Sequence, residues 1–513
     1  MLITDKIKEL AVKQPSKTSV VMGTMRLSYQ ELNSRINRIC NSLIEYEYDG
    51  QLNDIIAILL DNSLELLEFF LAGAKVGWIS AILDPKWSVK HLDECINDCK
   101  PKVLVVDEAN FARLKNIPRA TQVVIVGVGS ELFPGGNVVY YSSWVADAFE
   151  EEPKILASTD DLFYMGYTSG TTGRPKGFVR THQSWIKSFE VSTQGFELHV
   201  DDRVFAPGPL VHSLSIYAAA HTLYLGGMFY LLPKFDAASV INTIESNSIT
   251  CIYLVPTMFE AIYRNASEQT KPVYASSLKR IVSSGDKWRP DSKQKVKSIF
   301  PNAALYEFYG ASELSFVTIL DPEGNRRKPD SVGTPVSNIE IAIRDSFGQK
   351  VQTGEPGQLY VKSKMVFAGY YGNSKETEEV LQGVWASVGD IARQDKEGFI
   401  YIVGRKKNML ISGGLNIYPE EVEQALLTLP QIEEAIVTGI PDAYWGQKVV
   451  ALISVSPGNT IEDRDIKSFC REHLATYKYP REIIRVDSFP YTTSGKINRQ
   501  KVNKFLLEKM SQK

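Results

Sequence analysis

Residues 162–177 read Leu-Phe-Tyr-Met-Gly-Tyr-Thr-Ser-Gly-Thr-Thr-Gly-Arg-Pro-Lys-Gly, an apolar run from Leu162 to Met165 that leads into a loop of glycine, serine and threonine closed by Lys176 and Gly177. Glycines let backbone N–H groups turn inward, and hydroxyls and a lysine add further donors, which together are the set needed to hold a polyphosphate. Thr168, Ser169, Gly170, Thr171, Thr172, Gly173 and Lys176 therefore form a candidate phosphate grip. It is not the P-loop of kinases and GTPases, because the Gly-x-x-x-x-Gly-Lys-Ser/Thr spacing is missing here and around Gly495-Lys496, and no Gly-x-Gly-x-x-Gly dinucleotide turn occurs. A plain Ser/Thr-rich surface loop would not need glycines, a proline and a lysine in this order.

Working outward, short β-branched runs alternate with longer helical patterns: Ile55 to Leu60, Leu64 to Val76, Lys102 to Val106, Gln122 to Val126. That rhythm predicts βαβ units and a largely parallel sheet. Ser239 to Asn247, Cys251 to Val255, Leu278 to Ser283 and Asp291 to Phe300 repeat it, which predicts a second, related α/β layer. After Val332 the texture turns to strands and turns (Ile339 to Arg344, Gln358 to Lys362, Phe399 to Val403), read as a β-rich subdomain closing the N-terminal part. Beyond Gly404 a helix at Pro419 to Leu427, strands near Ala435 to Gly439 and Lys448 to Val455, and a helix at Ile461 to Leu474 predict a small α+β unit. The expected fold is thus α/β: a large N-terminal domain of two mostly parallel layers plus a β-rich subdomain over residues 1–404, and a small mobile C-terminal domain over 405–513.

With 513 residues, 44% of them hydrophobic, the chain exceeds the roughly 250 to 300 residues at which a single core stops growing. The balance of 57 basic against 60 acidic residues gives a formal net charge of -3, too little to draw the protein to nucleic acid or anionic lipid, so a small-molecule partner is expected. Cys40, Cys95, Cys99, Cys251 and Cys470 are scattered and odd in number, which suits a reducing compartment. Cys95 and Cys99 are spaced as on one helix face, but no second pair completes four metal ligands. Met1 to Gln14 reads as an amphipathic helix without an apolar signal region. Val204 to Pro233 has no charged residue, a length compatible with a membrane span, yet Pro207, Pro209, His212, His221 and Gly226-Gly227 interrupt it; a buried loop, helix and strand are expected instead. A cytoplasmic protein follows.

The loop at 167–177 resembles the signature of the adenylate-forming superfamily, which includes acyl-CoA synthetases, luciferases and the adenylation domains of peptide synthetases. Four further motifs occur in that family's order: Tyr309-Gly310-Ala311-Ser312-Glu313, Val388-Gly389-Asp390, Gly404-Arg405-Lys406-Lys407, and Pro490-Tyr-Thr-Thr-Ser-Gly495-Lys496. The resemblance covers nearly the whole chain. It implies attack of a carboxylate on the α-phosphate of ATP with pyrophosphate leaving, then transfer of the acyl group to coenzyme A. Thr168 to Lys176 are expected to hold the leaving phosphates, and Glu313 a Mg ion, with Ser312 keeping the hydroxyl that the family's threonine supplies. Asp390 and Arg405 resemble the family's ribose clamp, and Gly285 and Tyr309 stand where it wraps the adenine, although Asp286-Lys287 is unusually charged for that place.

Lys496 resembles the lysine that bridges carboxylate and α-phosphate, Lys407 the hinge residue, with Asn408 replacing the commoner Asp, and Gly413-Gly414 the turn that leaves room for a pantetheine arm. His212, in Pro209-Leu210-Val211-His212, resembles the residue lining the acyl pocket. The charge-free segment after it offers no partner for an ammonium or a second carboxylate, which favours a medium- or long-chain fatty acid, with an aryl acid second. A stand-alone adenylating enzyme that loads a carrier protein shares every motif. A ligand-binding pseudoenzyme would be expected to have lost Lys496, Glu313 or Asp390, and all are present.

Overall fold

The computed structural model describes residues 1–46, 52–127, 137–154, 157–169, 175–268, 273, 275–288, 290–412, 415–442, 444–491 and 497–511. These divide into two compact units, Met1–Glu340 with Val361–Ala386, and Ile341–Tyr360 with Ser387–Lys513.

The first unit contains two sheets. In one, the strands run in the order Gly369–Tyr370, Pro175–Thr181, Leu162–Ser169, Ile79–Ile82, Ile55–Leu59, Val103–Asp107, Gln122–Val126 and Val138–Tyr140. From Leu162–Ser169 onward the pairing is parallel. Every residue of Ile55–Leu59 and Ile79–Ile82 is buried, as expected of strands covered on both faces. The intervening helix Leu64–Val76 is capped by the Ser63 hydroxyl on the Leu66 N–H and stopped by Gly77 at φ +84°. It is apolar nearly all round and accordingly buried.

The second sheet runs Thr334–Pro335, Ser315–Leu320, Ala304–Ala311, Arg280–Ser283, Cys251–Leu254, Arg203–Phe205, Met228–Leu231, Thr18–Met22, Met25–Ser28. Its interior pairs are parallel and its edges antiparallel. The chain leaves Arg203–Phe205 for Met228–Leu231 on one side and returns to Cys251–Leu254 on the other, so the strand order reverses there. In open α/β sheets that reversal is where a crevice opens beyond the carboxyl ends of the strands. The charge-free segment supplies the loop before His212, the buried helix Ser213–Leu225 and the strand Met228–Leu231. No helix among the described residues is long and apolar enough to cross a membrane. A single core joins the sheets, with Ile56 and Ile58 in the same cluster as Val204 and Phe229; each such side chain contributes about 1.5–3 kcal/mol.

The second unit holds the long antiparallel pair Ile432–Asp442 and Gly446–Val455, flanked by Leu410–Ser412, Leu415–Ile417 and Glu482–Arg485. Helices Pro419–Leu426 and Asp463–His473 bury Val422, Leu426, Ile466 and Cys470 against it. These compact units have other bounds than the domains 1–404 and 405–513 expected from the sequence. Residues 341–360 and 387–404 group with the C-terminal part, because Gly357 and Gln358 pair with the hairpin Asp390–Gln394/Ile400–Arg405, on which Pro419–Leu426 packs. Residues 361–386 return to the first unit, where Gly369 and Tyr370 pair with Val179 and Phe178. The strand and turn content expected after Val332 is present.

Candidate active site

In the first unit, Leu162–Ser169 and Pro175–Thr181 form an antiparallel ladder with Tyr167 opposite Gly177, Thr168 opposite Lys176 and Ser169 opposite Pro175. Thr168 and Lys176 therefore face one another at the loop's base. The expected phosphate-grip residues Gly170, Thr171, Thr172 and Gly173 lie outside the described residues. The ladder's first strand is anchored by the Tyr167 hydroxyl, which donates to the Asp98 carboxylate at 3.1 Å and the Cys95 carbonyl at 3.2 Å.

The Lys176 ammonium lies 2.6 Å from Glu376 Oε1 and 5.7 Å from the centroid of the Tyr370 ring. The Tyr370 hydroxyl donates to Glu313 Oε1 at 2.7 Å. Burial and the charges of Glu313 and Glu376 push the Tyr370 phenol up, so it keeps its proton and remains a donor. The Glu313 carbonyl accepts the Phe367 N–H at 2.8 Å. Behind the same turn, the buried Arg180 donates through Nη1 to the Ser312 carbonyl (3.0 Å), through Nη2 to the Met365 carbonyl (2.7 Å) and through Nε to Ser184 Oγ (3.1 Å). Its guanidinium is pulled down to about 10 by burial and stays charged at neutral pH. Glu313 is thus gripped at carbonyl and carboxylate, with only oxygen donors to offer, which fits a hard divalent cation.

Gly310 needs its hydrogen, because a Cβ there would stand 2.0 Å from the Ser315 carbonyl oxygen across the turn that brings Tyr309, Ser312 and Glu313 to the end of Ala304–Ala311. Gly285 adopts φ +94° just past Arg280–Ser283. Gly310 at the carboxyl end of Ala304–Ala311, Gly285 past Arg280–Ser283 and His212 past Arg203–Phe205 thus belong to the carboxyl ends of strands of one sheet. The unusual Asp286-Lys287 pair is engaged locally: Asp286 accepts the Lys287 N–H, and Lys287 Nζ lies 3.2 Å from Asp330. His212 precedes the first residue of Ser213–Leu225 without a side-chain capping bond, and burial holds its pKa below the ordinary value, which favours the neutral ring.

In the second unit, Asp390 is buried and faces Arg405 across the hairpin, with Oδ1 3.0 Å from Nε; Arg405 is half exposed. Lys407 is exposed in the 3-10 turn Lys406–Asn408, and the Lys406 N–H donates to the Gly389 carbonyl at 2.8 Å. Asn408 donates to Glu420 at 2.5 Å, and Arg499 reaches Glu423 at 2.5 Å and the Val437 carbonyl at 3.1 Å. Lys496, Gly413 and Gly414 lie outside the described residues. Their flanks are described: Tyr491 bridges to Ile497, and Ser412 pairs with Leu415 and with Gly446.

Sequence reasoning missed Tyr370, Glu376 and Arg180 in the first unit, and Trp445 in the second, whose ring carries the Arg481 guanidinium at 4.3 Å beside the exposed Tyr444. None sits in a stretch whose composition demands special chemistry, so only the fold brings them to the motifs.

The family model for AMP-binding enzymes matches residues 7–371, and that for the AMP-binding enzyme C-terminal domain matches 421–496. The chain is 37% identical over 515 residues to an uncharacterized acyl-CoA ligase, YhfT, of Bacillus subtilis (strain 168), covering 100% of both. It is 30% identical to a feruloyl-CoA synthase of an Amycolatopsis species, with 96% of each covered. Among solved structures, ATP-bound MatB from Rhodopseudomonas palustris superposes with a TM-score of 0.86 at 25% identity, over 98% of this chain and 99% of that one.

Proposed function

The chain belongs to the AMP-binding enzyme family, and from that membership we propose that it is an ATP-dependent acyl-CoA ligase, which joins a carboxylic acid to coenzyme A through an acyl-adenylate. The observation that carries this reading is the meeting of Lys176 and Glu313 on two sides of Tyr370 at the base of a glycine- and hydroxyl-rich loop. A cation and a carboxylate held together there match the needs of a metal-bound polyphosphate.

In the first step a carboxylate oxygen attacks the α-phosphorus of ATP, and the bond to the β-phosphate oxygen breaks as pyrophosphate leaves. Two anions must approach, so the protein's task is positioning and neutralisation. Thr168 and Lys176, with the loop 170–174 between them, would bind the leaving phosphates, and Glu313 would hold Mg, which supplies charge neutralisation on the phosphate oxygens. Asp390 has two acceptor oxygens for the ribose hydroxyls, and Arg405 orients it. Lys496 would bridge the acid and the α-phosphate. In the second step the coenzyme A thiolate attacks the acyl carbonyl carbon and AMP departs, with rotation at Lys407 exchanging the faces of residues 405–513 presented to the reaction.

Coenzyme A as acceptor is supported by what flanks Gly413-Gly414 in the chain: Ser412 pairs with Gly446, next to Tyr444 and Trp445, whose aromatic planes and Arg481 suit a nucleotide end. The acid is proposed to be a medium- or long-chain fatty acid, because burial favours the neutral ring of His212 and the helix behind it is apolar. An aryl acid is the second reading, favoured by the likeness to feruloyl-CoA synthase. Work in the cytoplasm fits five cysteines that are all free thiols.

The test is acid-dependent AMP release with ATP, Mg and coenzyme A across acetate, hexanoate, dodecanoate, palmitate, benzoate and ferulate, with pyrophosphate exchange in parallel. Turnover that rises with coenzyme A and peaks at dodecanoate or palmitate is expected. Exchange without response to coenzyme A would point to a carrier protein as acceptor, and a ferulate or benzoate maximum would replace the fatty acid.

A further inference from the structure

Tyr370 touches two residues of the proposed adenylation chemistry at once. Its hydroxyl donates to Glu313 Oε1 at 2.7 Å, while the Lys176 ammonium stands 5.7 Å from its ring centroid. The residue is itself firmly seated. Its N–H donates to Thr377 Oγ1 at 2.9 Å, its strand pairs with Phe178, and its ring packs edge-on to Phe367 with centroids 5.1 Å apart. Phe367 is also the residue whose N–H donates to the Glu313 carbonyl. One short stretch, 365–370, therefore grips Glu313 at both ends, and Arg180 ties that stretch to the preceding Ser312 through the Met365 and Ser312 carbonyls.

We infer that Tyr370 is a positioning residue for adenylation, which orients the Glu313 carboxylate toward the nucleotide's metal ion and sets the Lys176 ammonium against its ring. The inference rests on the proposed roles of Glu313 and Lys176. A carboxylate that bears one hydroxyl donor has one oxygen fixed and the other turned outward, and a partner of this kind that orients a metal ligand typically changes metal affinity by about 10- to 100-fold. A merely structural tyrosine would change stability and leave the metal response alone. The Lys176 ammonium adds a second function to the same ring. Glu376 already holds this ammonium at 2.6 Å, so phosphate must compete with a carboxylate, and the ring keeps the cation in place during the exchange.

The experiment is equilibrium titration of the full chain with ATP in the presence and absence of Mg, for wild type, Tyr370→Phe, Tyr370→Leu, Glu313→Gln and the Tyr370→Phe/Glu313→Gln double variant, alongside pyrophosphate exchange and thermal melting. Tyr370→Phe is expected to bind Mg-free ATP within twofold of wild type but to lose about tenfold of the affinity that Mg adds. The double variant is expected to show no further loss beyond Glu313→Gln, as for two residues acting through one contact. Tyr370→Leu, which also removes the ring, is expected to weaken Mg-free ATP by a further threefold to tenfold or so. A Tyr370→Phe protein with the wild-type Mg response, while Glu313→Gln loses it, overturns the positioning role and leaves the proposed function standing. A wild-type Mg response in Glu313→Gln overturns the metal assignment itself. Equal Mg-free affinity in the Phe and Leu variants removes the part concerning Lys176.

Discussion

Glu313 taken alone reads as a solvated carboxylate; what singles it out is company, first the Tyr309-Gly310 turn in sequence and then Tyr370 and Phe367 in space. Asp390 differs, because it is buried against Arg405, and a charge is not buried without a partner or a task. Asp390→Ala is expected to raise the KM for ATP by about tenfold to a hundredfold, the equivalent of one or two charge-assisted hydrogen bonds; initial rates across ATP concentrations check this. Lys496→Ala should slow pyrophosphate exchange by about a hundredfold to a thousandfold, on the scale of a lost transition-state donor. Unchanged exchange would remove Lys496 from the chemistry. At this scale the sequence was legible where chemistry restricts residue type, as in a glycine and hydroxyl loop or a Gly-Lys motif. It was silent on Tyr370, because a tyrosine after a glycine has many uses and only the antiparallel register opposite Phe178 reveals this one.

Among elements, the 3-10 turn Lys406–Asn408 is the place for a hinge: exposed, short, and flanked by the Lys406 bond to Gly389 and the Asn408 bond to Glu420. Proline at 407 freezes one dihedral angle and constrains the residue before it. Lys407→Pro is expected to spare pyrophosphate exchange and to slow thioester formation at least tenfold, the conversion that a frozen turn would impede; equal loss in both assays would end the hinge assignment. The helix Pro419–Leu426 carries a second testable feature. Burial raises the Glu423 carboxyl to about 7 despite Arg499. Between its unfolded value near 4.5 and 7, the folded chain then binds the proton more tightly than the unfolded chain, so this group's contribution to stability falls as pH rises through that window. The loss reaches about 3 kcal/mol above pH 7. Glu423→Gln, which cannot ionise, is expected to flatten that slope, seen as hydrogen exchange of the Val437 region compared at pH 5.5 and 8 after correction for intrinsic rates. Element boundaries came through well where periodicity was long, as in Leu64–Val76, which is predicted and observed alike.

For the molecule as a whole, the alternation of strands and helices foretold two α/β layers, since parallel strands buried on both faces write themselves as apolar runs. What no periodicity encodes is which sheet or hairpin a β-rich segment joins. Residues 341–360 and 387–404 are held to one another by the pairing of Gly357 and Gln358 with Ala392 and Ile391, and to the C-terminal part by the packing of Pro419–Leu426 on Ile400–Arg405, contacts distant in sequence. The chain changes unit at 340/341, 360/361 and 386/387. Anyone who recombines this protein with a relative meets that threading as a rule of grammar. A graft taken at 404 leaves the donor's helix Pro419–Leu426 to settle on the recipient's strand Ile400–Arg405, so the residues that meet across that junction must be matched, while Tyr370 keeps its own Glu313 and Lys176.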